Sequence, residues 1–220
     1  MGMTATIISA VLFDCDGVLA DSEPVANRVV AADLSARGWL LTPDEAGAIF
    51  LGMALPDMVP LIEAQVGALP ADWTQYLKER TAGVMAREVT PIPGAADLLA
   101  VVRAAGLPLA LASNSSRLEL TTKLTRLGFT EAFEGRIFSF EDVLLPKPQP
   151  DIYLAAASAC GADPTECVVV EDSAAGVRAG VAAGCTVFGF AHVTDPEMLL
   201  AAGAHTVFTE LSQLPERLGL

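Results

Sequence analysis

The sequence predicts an α/β protein: a parallel sheet with helices on both faces and an all-helical insert after the first strand. Three observations carry that reading. Short apolar runs alternate with helix-like stretches punctuated by Pro, Asp and Gly along most of the 220 residues, and βαβα alternation calls for a parallel sheet. Residues 22–88 break the rhythm and read as helix alone. The apolar runs end in acidic or hydroxyl residues, and ligands of open α/β sheets bind at the carboxyl ends of the strands.

Ile7–Phe13 is an apolar run ending at Asp14, a candidate buried strand. Three helices are expected in the insert: Pro24–Arg37, a second from Thr42, and Asp72–Ala86. Thr42-Pro43-Asp44-Glu45 combines a capping box with a proline at the first helical position. The chain then resumes its alternation. A helix over Ala95–Ala105 stops at Gly106, a strand follows at Leu109–Ala112, and a helix over Arg117–Leu127 ends at Gly128. Pro150-Asp151 opens a helix closed by Gly161, and Asp163-Pro164 reads as a further helix start. Cys167–Val170 is a strand, Ala174–Ala183 a helix, and Cys185–Phe190 a strand. Asp195-Pro196 caps another helix, closed at Gly203, before Thr206–Phe208. The crossings near Val18–Ser22 and Val89–Pro93 are candidate hinges.

The chain carries 27 acidic against 13 basic residues, a formal charge of −14, with a pI near 4.4. Binding a phosphate backbone or an anionic membrane needs a basic surface, so neither is an expected partner. Mean hydropathy is high, +0.47, yet the longest uncharged apolar stretch, Ala179–Val193, is broken by Gly180, Gly184 and Gly189. That is short of the ~20 residues of a spanning helix. Thr4–Phe13 lacks a basic flank and a cleavage site, so no signal peptide is expected. Met1-Gly2 with Thr6 fits a myristoylation pattern, set aside because a strand begins within a few residues. Cys15, Cys160, Cys167 and Cys185 show no paired spacing and suit reduced thiols in a cytoplasm. His192 and His205 flank strand-like runs and read as structural.

Asp14 and Asp16 leave the first strand two residues apart, so they project the same way with room for a phosphoryl group between them. One acid there would only cap a turn; a pair favours function. Gly17 permits the sharp turn that follows. Glu171-Asp172 ends another apolar run. In a parallel sheet the two acidic pairs emerge at the same edge, where they repel unless a cation joins them. Oxygen ligands without His or Cys point to a hard ion, Mg²⁺ first and Ca²⁺ or Mn²⁺ less often. Ser113-Asn114-Ser115 offers hydroxyl and amide donors suited to phosphate, or a plain helix cap. Lys147, between Pro146 and Pro148, is a cation on a stiff backbone, or by itself a surface lysine.

Together these pieces resemble the haloacid-dehalogenase-like superfamily over nearly the whole chain. DCDGVLADSE at 14–23, SNSS at 113–116, PKPQPDIY at 146–153 and VVVEDSAAGVRAG at 168–180 match its four motifs in order and spacing. The β-phosphoglucomutase-like sugar-phosphate phosphatases are the most similar branch. The resemblance implies a Rossmann-like core, 1–21 and 89–220, with a helical cap at 22–88. It also implies a monomer or homodimer that hydrolyses a small phosphorylated metabolite through an aspartyl-phosphate. Asp14 is then the nucleophile and Asp16 the acid and base. Lys147, Ser113, Asn114 and Ser115 bind the phosphoryl group, and Mg²⁺ sits among Asp14, Asp16, Glu171 and Asp172. Glu23, Asn27, Arg28, Trp73 and Arg80 are candidates for contact with the leaving group.

Four other readings fit the residues less well. A dehalogenase has no use for Asp16 or a metal. A phosphomutase needs a second phosphate grip, and Gly52-Met53-Ala54-Leu55 lacks the arginine of the mutase pattern. A phosphorylation-switched receiver has no place for the insert, and a dead binding protein would not keep every reactive position filled.

Overall fold

The computed structural model describes residues 8–220. The myristoylation pattern at Met1, Gly2 and Thr6 and the expected strand start at Ile7 lie outside the described residues. Eight strands are present: β1 (Ala10–Phe13), β2 (Ala20–Asp21), β3 (Thr90–Pro91), β4 (Leu109–Ser113), β5 (Ile137–Ser139), β6 (Cys167–Glu171), β7 (Thr186–Phe190) and β8 (Thr206–Phe208). Six of them form one sheet in the order β5-β4-β1-β6-β7-β8, parallel throughout. After β1 the chain first builds outward through β4 and β5, then returns to β1's other side for β6. The carboxyl end of β1 is therefore the switch point of the sheet.

Ten helices accompany the strands: α1 (Glu23–Ala36), α2 (Pro43–Phe50), α3 (Leu55–Val66), α4 (Trp73–Glu88), α5 (Ala95–Ala104), α6 (Arg117–Leu127), α7 (Asp151–Ala159), α8 (Ala174–Ala182), α9 (Pro196–Ala202) and α10 (Leu214–Leu218). Two-residue periodicity sorts the sheet's side chains into two apolar layers. Val11, Phe13, Leu109, Leu111, Val168 and Val170 pack under α5, α6 and α10. Ala10, Leu12, Ala110, Ala112, Cys167 and Val169 pack under α7, α8 and α9. Burial on both faces explains why these strands read as unbroken apolar runs. No single helix among the described residues is long and apolar enough to cross a membrane; α2 and α3 reach that length only together and are bent by 119° at the break between them.

Helices α1 to α4 enclose an apolar cluster of their own around Val30, Leu34, Phe50, Ile62, Trp73 and Leu77. Its one buried acid, Asp33, accepts from Trp73 Nε1 at 2.7 Å and Arg37 Nε at 2.8 Å, which offsets the cost of burying the charge. The insert holds four helices where three were expected. The capping box at Thr42 is present, but the helix it opens ends at Phe50. Gly52 takes a left-handed φ of +72°, and Pro56, in the first turn of α3, disfavours helical backbone in the residue before it. The helix expected from Asp163-Pro164 is a single 3-10 turn, Pro164–Glu166.

Three strands had no forecast. β5 is a three-residue edge strand. β2 and β3, the two crossings into and out of the insert, pair antiparallel as Ala20 with Pro91 and Asp21 with Thr90. Ile92 N donates to the Leu19 carbonyl at 3.0 Å beside them.

Candidate active site

Phe13 is paired with Leu111 on one side and Val170 on the other, so the residues that follow these three positions meet at one edge. Asp14 emerges there almost fully buried, 7% exposed. Lys147, itself 3% exposed, donates to Asp14 Oδ1 at 2.6 Å, to Glu171 Oε1 at 2.6 Å and to the Ala112 carbonyl at 2.8 Å. Asn114 holds the loop that delivers this lysine: its Oδ1 accepts from Lys147 N at 3.0 Å and its Nδ2 donates to Lys147 O at 3.1 Å. The same Nδ2 reaches across to the Gly52 carbonyl at 3.0 Å, tying the insert to the sheet edge.

The two acids at the end of β6 differ. Glu171 is saturated: Lys147 and Tyr153 Oη (2.8 Å) donate to Oε1, and Ser173 N (3.1 Å) and Oγ (3.0 Å) donate to Oε2. Asp172 receives no side-chain or backbone donor among the described residues. It lies against the backbone of Gly17, where an added Cβ would fall 1.8 Å from Asp172 Oδ2. Gly17 therefore does more than turn the chain; it makes room for a carboxylate.

Asp14, Glu171 and Asp172 each present an oxygen within 4.8 Å of the others, with one ammonium among them. Burial pushes Asp14 up to about 7, opposed by Lys147 and reinforced by Glu171 and Asp16. Burial, then Asp14 and Glu171, raise Asp172 well above the carboxylate range. Burial works against the Lys147 ammonium, but Asp14 and Glu171 outweigh it and raise its pKa. The cluster is short of positive charge, and its donors are all oxygen, which fits a hard divalent cation.

Asp16 looks the other way. Its carboxylate accepts from Ser113 Oγ at 3.0 Å and Ser115 Oγ at 2.8 Å, and from Ser22 Oγ and Lys123 Nζ. Lys123 has no exposed surface and also donates to Ser115 Oγ at 2.7 Å. Burial disfavours the Asp16 anion, but the Lys123 charge and the donors from Lys123, Ser22 and Ser115 win and hold it at about 2. Lys123 was missed in the sequence. It falls on the buried stripe of α6 with Leu120 and Leu124, and a lysine at i+3 from a core leucine was the available signal.

These groups line one end of an open cleft between the sheet edge and the insert. Asp14, Asp16, Ser113, Asn114, Ser115, Lys147 and Asp172 all reach it, while Glu171 stands behind. Of the five leaving-group candidates, Glu23 and Asn27 line the cleft. Arg28 instead pairs with Glu88, Trp73 donates to Asp33, and Arg80 donates to Tyr76. Burial, then Asp16 and Asp21, raise Glu23 to about 6. His192 and His205 stack on Phe190 and Phe188, away from the cleft lining.

An acid-lined cleft over the switch point of a parallel sheet, with a buried lysine facing the central strand's aspartate, suits an α/β enzyme that handles a phosphoryl group beside a hard cation. The family model described as a haloacid dehalogenase-like hydrolase matches residues 8–184. The 6-phosphogluconate phosphatase of Escherichia coli (strain K12) is 32% identical over 212 residues, covering 95% of this chain and 94% of that protein. Hexitol phosphatase A of the same organism is 36% identical over 180 residues, 80% of each chain. A solved HAD family hydrolase from Deinococcus radiodurans R1, with bound phosphate and sodium, superposes with a TM-score of 0.78 at 36% identity over 98% of this chain and 96% of its own. The chain belongs to the haloacid dehalogenase-like hydrolases, in the branch of the β-phosphoglucomutase-like proteins and sugar-phosphate phosphatases, and it is a phosphatase.

Proposed function

We propose that this chain hydrolyses the phosphomonoester of a small phosphorylated metabolite, a sugar or polyol phosphate, through an aspartyl-phosphate on Asp14. One observation carries the reading. Asp14 has Oδ1 fixed by Lys147, while no donor among the described residues occupies Oδ2, so one oxygen is oriented and the other is free to act. Asp14 would attack phosphorus in line, splitting one slow hydrolysis into two easier transfers. Lys147, Ser113 and Ser115 would hold the phosphoryl oxygens as charge develops on them. Asp16, held as an anion, is in the form that takes a proton from water attacking the phosphoenzyme. Protonating the leaving oxygen requires it to leave the Lys123 nest.

Asp14, Asp172 and the Asp16 carbonyl would hold Mg²⁺, with Glu171 orienting Lys147 and Ser173 beside them. The ion supplies positive charge where an anionic nucleophile meets an anionic ester. Residues 22–88 serve as the cap over the core formed by 1–21 and 89–220, excluding bulk water while the leaving group departs. Buried, unpaired Cys15, Cys167 and Cys185 suit a reducing, cytoplasmic setting. A mutase would need a second cationic phosphate grip, and the insert's side of the cleft offers none among the described residues.

The test is phosphate release across a panel of phosphorylated metabolites with Mg²⁺, run beside Asp14→Asn. The variant should fold normally and lose all turnover, because an amide is a poor nucleophile. Retention of even a tenth of the wild-type rate would rule out the covalent route.

A further inference from the structure

The cleft has two unlike ends. Opposite the carboxylates, its wall is built from the insert: Val30, Phe50, Met53, Leu55, Leu77 and Met85, with Glu23 and Asn27 as polar groups at the boundary. Lys147 is the only cation among the described residues that line the cleft, and Asp14 and Glu171 already bracket it. None of the insert's five cations lines the cleft; Arg28 pairs with Glu88, Arg37 and Arg80 with Asp33, and Lys78 with Glu141. Glu23 and Glu119 are further acids on the same lining, as is Asp16, whose charge Lys123 meets from behind.

A second anionic group on the substrate would be stripped of water against methionine and phenylalanine side chains, in the field of several acids, with no cation to meet it. An unpaired charge in such a place is strongly disfavoured. Hydroxyl groups are a different matter. The Glu23 side chain makes no hydrogen bond among the described residues, and Asn27 beside it has an amide that can donate or accept, so both can take sugar or polyol hydroxyls.

We infer that the leaving group is an uncharged alcohol with an apolar face and hydroxyls for Glu23 and Asn27, so that the ester phosphate is the substrate's sole anionic group. This rests on the phosphomonoesterase reading above and narrows it. Sugar-acid phosphates and bisphosphates are poor substrates, and the apolar wall, with no second phosphate grip, is what rejects them.

Matched pairs of substrates test it, with 4-nitrophenyl phosphate as the common reference. Glucitol 6-phosphate differs from 6-phosphogluconate by a terminal carboxylate, and fructose 6-phosphate from fructose 1,6-bisphosphate by a second phosphate. In both pairs kcat/KM should favour the compound whose only anionic group is the ester phosphate by at least ~10-fold. Met53→Arg, at a half-buried position, should shrink that ratio by supplying the missing cation. Glu23→Gln should lower kcat/KM for glucitol 6-phosphate more than for 4-nitrophenyl phosphate, which has no hydroxyl to offer. Equal or reversed preference in the wild-type pairs, or a preference for phosphoethanolamine over glycerol phosphate, overturns the inference while leaving a phosphatase. No phosphate from any of these compounds, 4-nitrophenyl phosphate included, removes the phosphatase reading and this one with it.

Discussion

Replacing Gly17 by alanine separates a turn residue from a residue that makes space for a metal ligand. At a φ of +73° an alanine costs roughly 1–2 kcal/mol in backbone strain, a modest fraction of a domain's stability. The larger effect is local. The new Cβ would fall 1.8 Å from Asp172 Oδ2, against ordinary contact from 3.4 Å, so the carboxylate must retreat by about 1.6 Å. A displacement near 1 Å in a reacting constellation is enough for ~100-fold in rate, and Mg²⁺ tolerates little departure from octahedral geometry. Gly17→Ala should therefore stay folded by circular dichroism, with a slightly lower Tm. Its half-saturating Mg²⁺ should rise at least ~10-fold and its kcat fall ~100-fold. Phosphate release measured against Mg²⁺ concentration reads both. A variant within threefold of wild type at unchanged Mg²⁺ dependence would refute the role given to Asp172.

Other expected outcomes concern the same cluster. Activity should vanish with EDTA and return with Mg²⁺, and Ca²⁺ should bind but inhibit, its larger coordination sphere misplacing the attacking carboxylate; hydrolysis that survives EDTA would sink the metal site. Lys123→Met should cost roughly 1–2 kcal/mol at pH 7, because Asp16 loses most of the depression that takes it from 3.8 to about 2. A depressed carboxylate stabilises fully above its unfolded pKa and loses that as pH falls. The gap between variant and wild type in urea unfolding should thus close as pH drops from about 4 toward 2, and a gap constant across that window would count against the pair. Asn114→Ala frees both the Lys147 loop and the Gly52 carbonyl; KM should rise and kcat fall ~10-fold or more, measured by steady-state kinetics. Unchanged constants would mean that neither tie matters.

Much of this was legible in the sequence because the sheet's strands are buried on both faces and its helices carry explicit stops. The strand at Cys167, the caps at Thr42 and Asp195 and the acidic strand ends all announce themselves within a few residues. What escaped depends on distant partners. β2 and β3 are two residues each, too short for any periodicity, and exist only because the chain returns to the place it left. The break after Phe50 is set by Gly52 and Pro56 inside a stretch otherwise fit for helix. Glu171 and Asp172 look alike in sequence, yet four donors claim one and none among the described residues claims the other. Lys123 passes for an ordinary charged helix residue until α6 is seen to turn it toward Asp16.

The pairing of β2 with β3 also has a mechanical consequence. Two separate tethers would let the insert slide or tilt about either one; laced together, they act as a single strap with one compliant direction, a twist about the ribbon. Displacement then grows with distance from the strap. In such a twist the insert's anchor points away from the strap, Gly52 on Asn114 and Lys78 on Glu141, would travel furthest and have to let go first. The Arg126 side chain, which grips the Val89 carbonyl at 2.8 Å beside the strap, sits near the pivot and can hold throughout. Any opening about this strap would be a peeling motion that starts over the phosphoryl end of the cleft and dies out at Asp21 and Thr90.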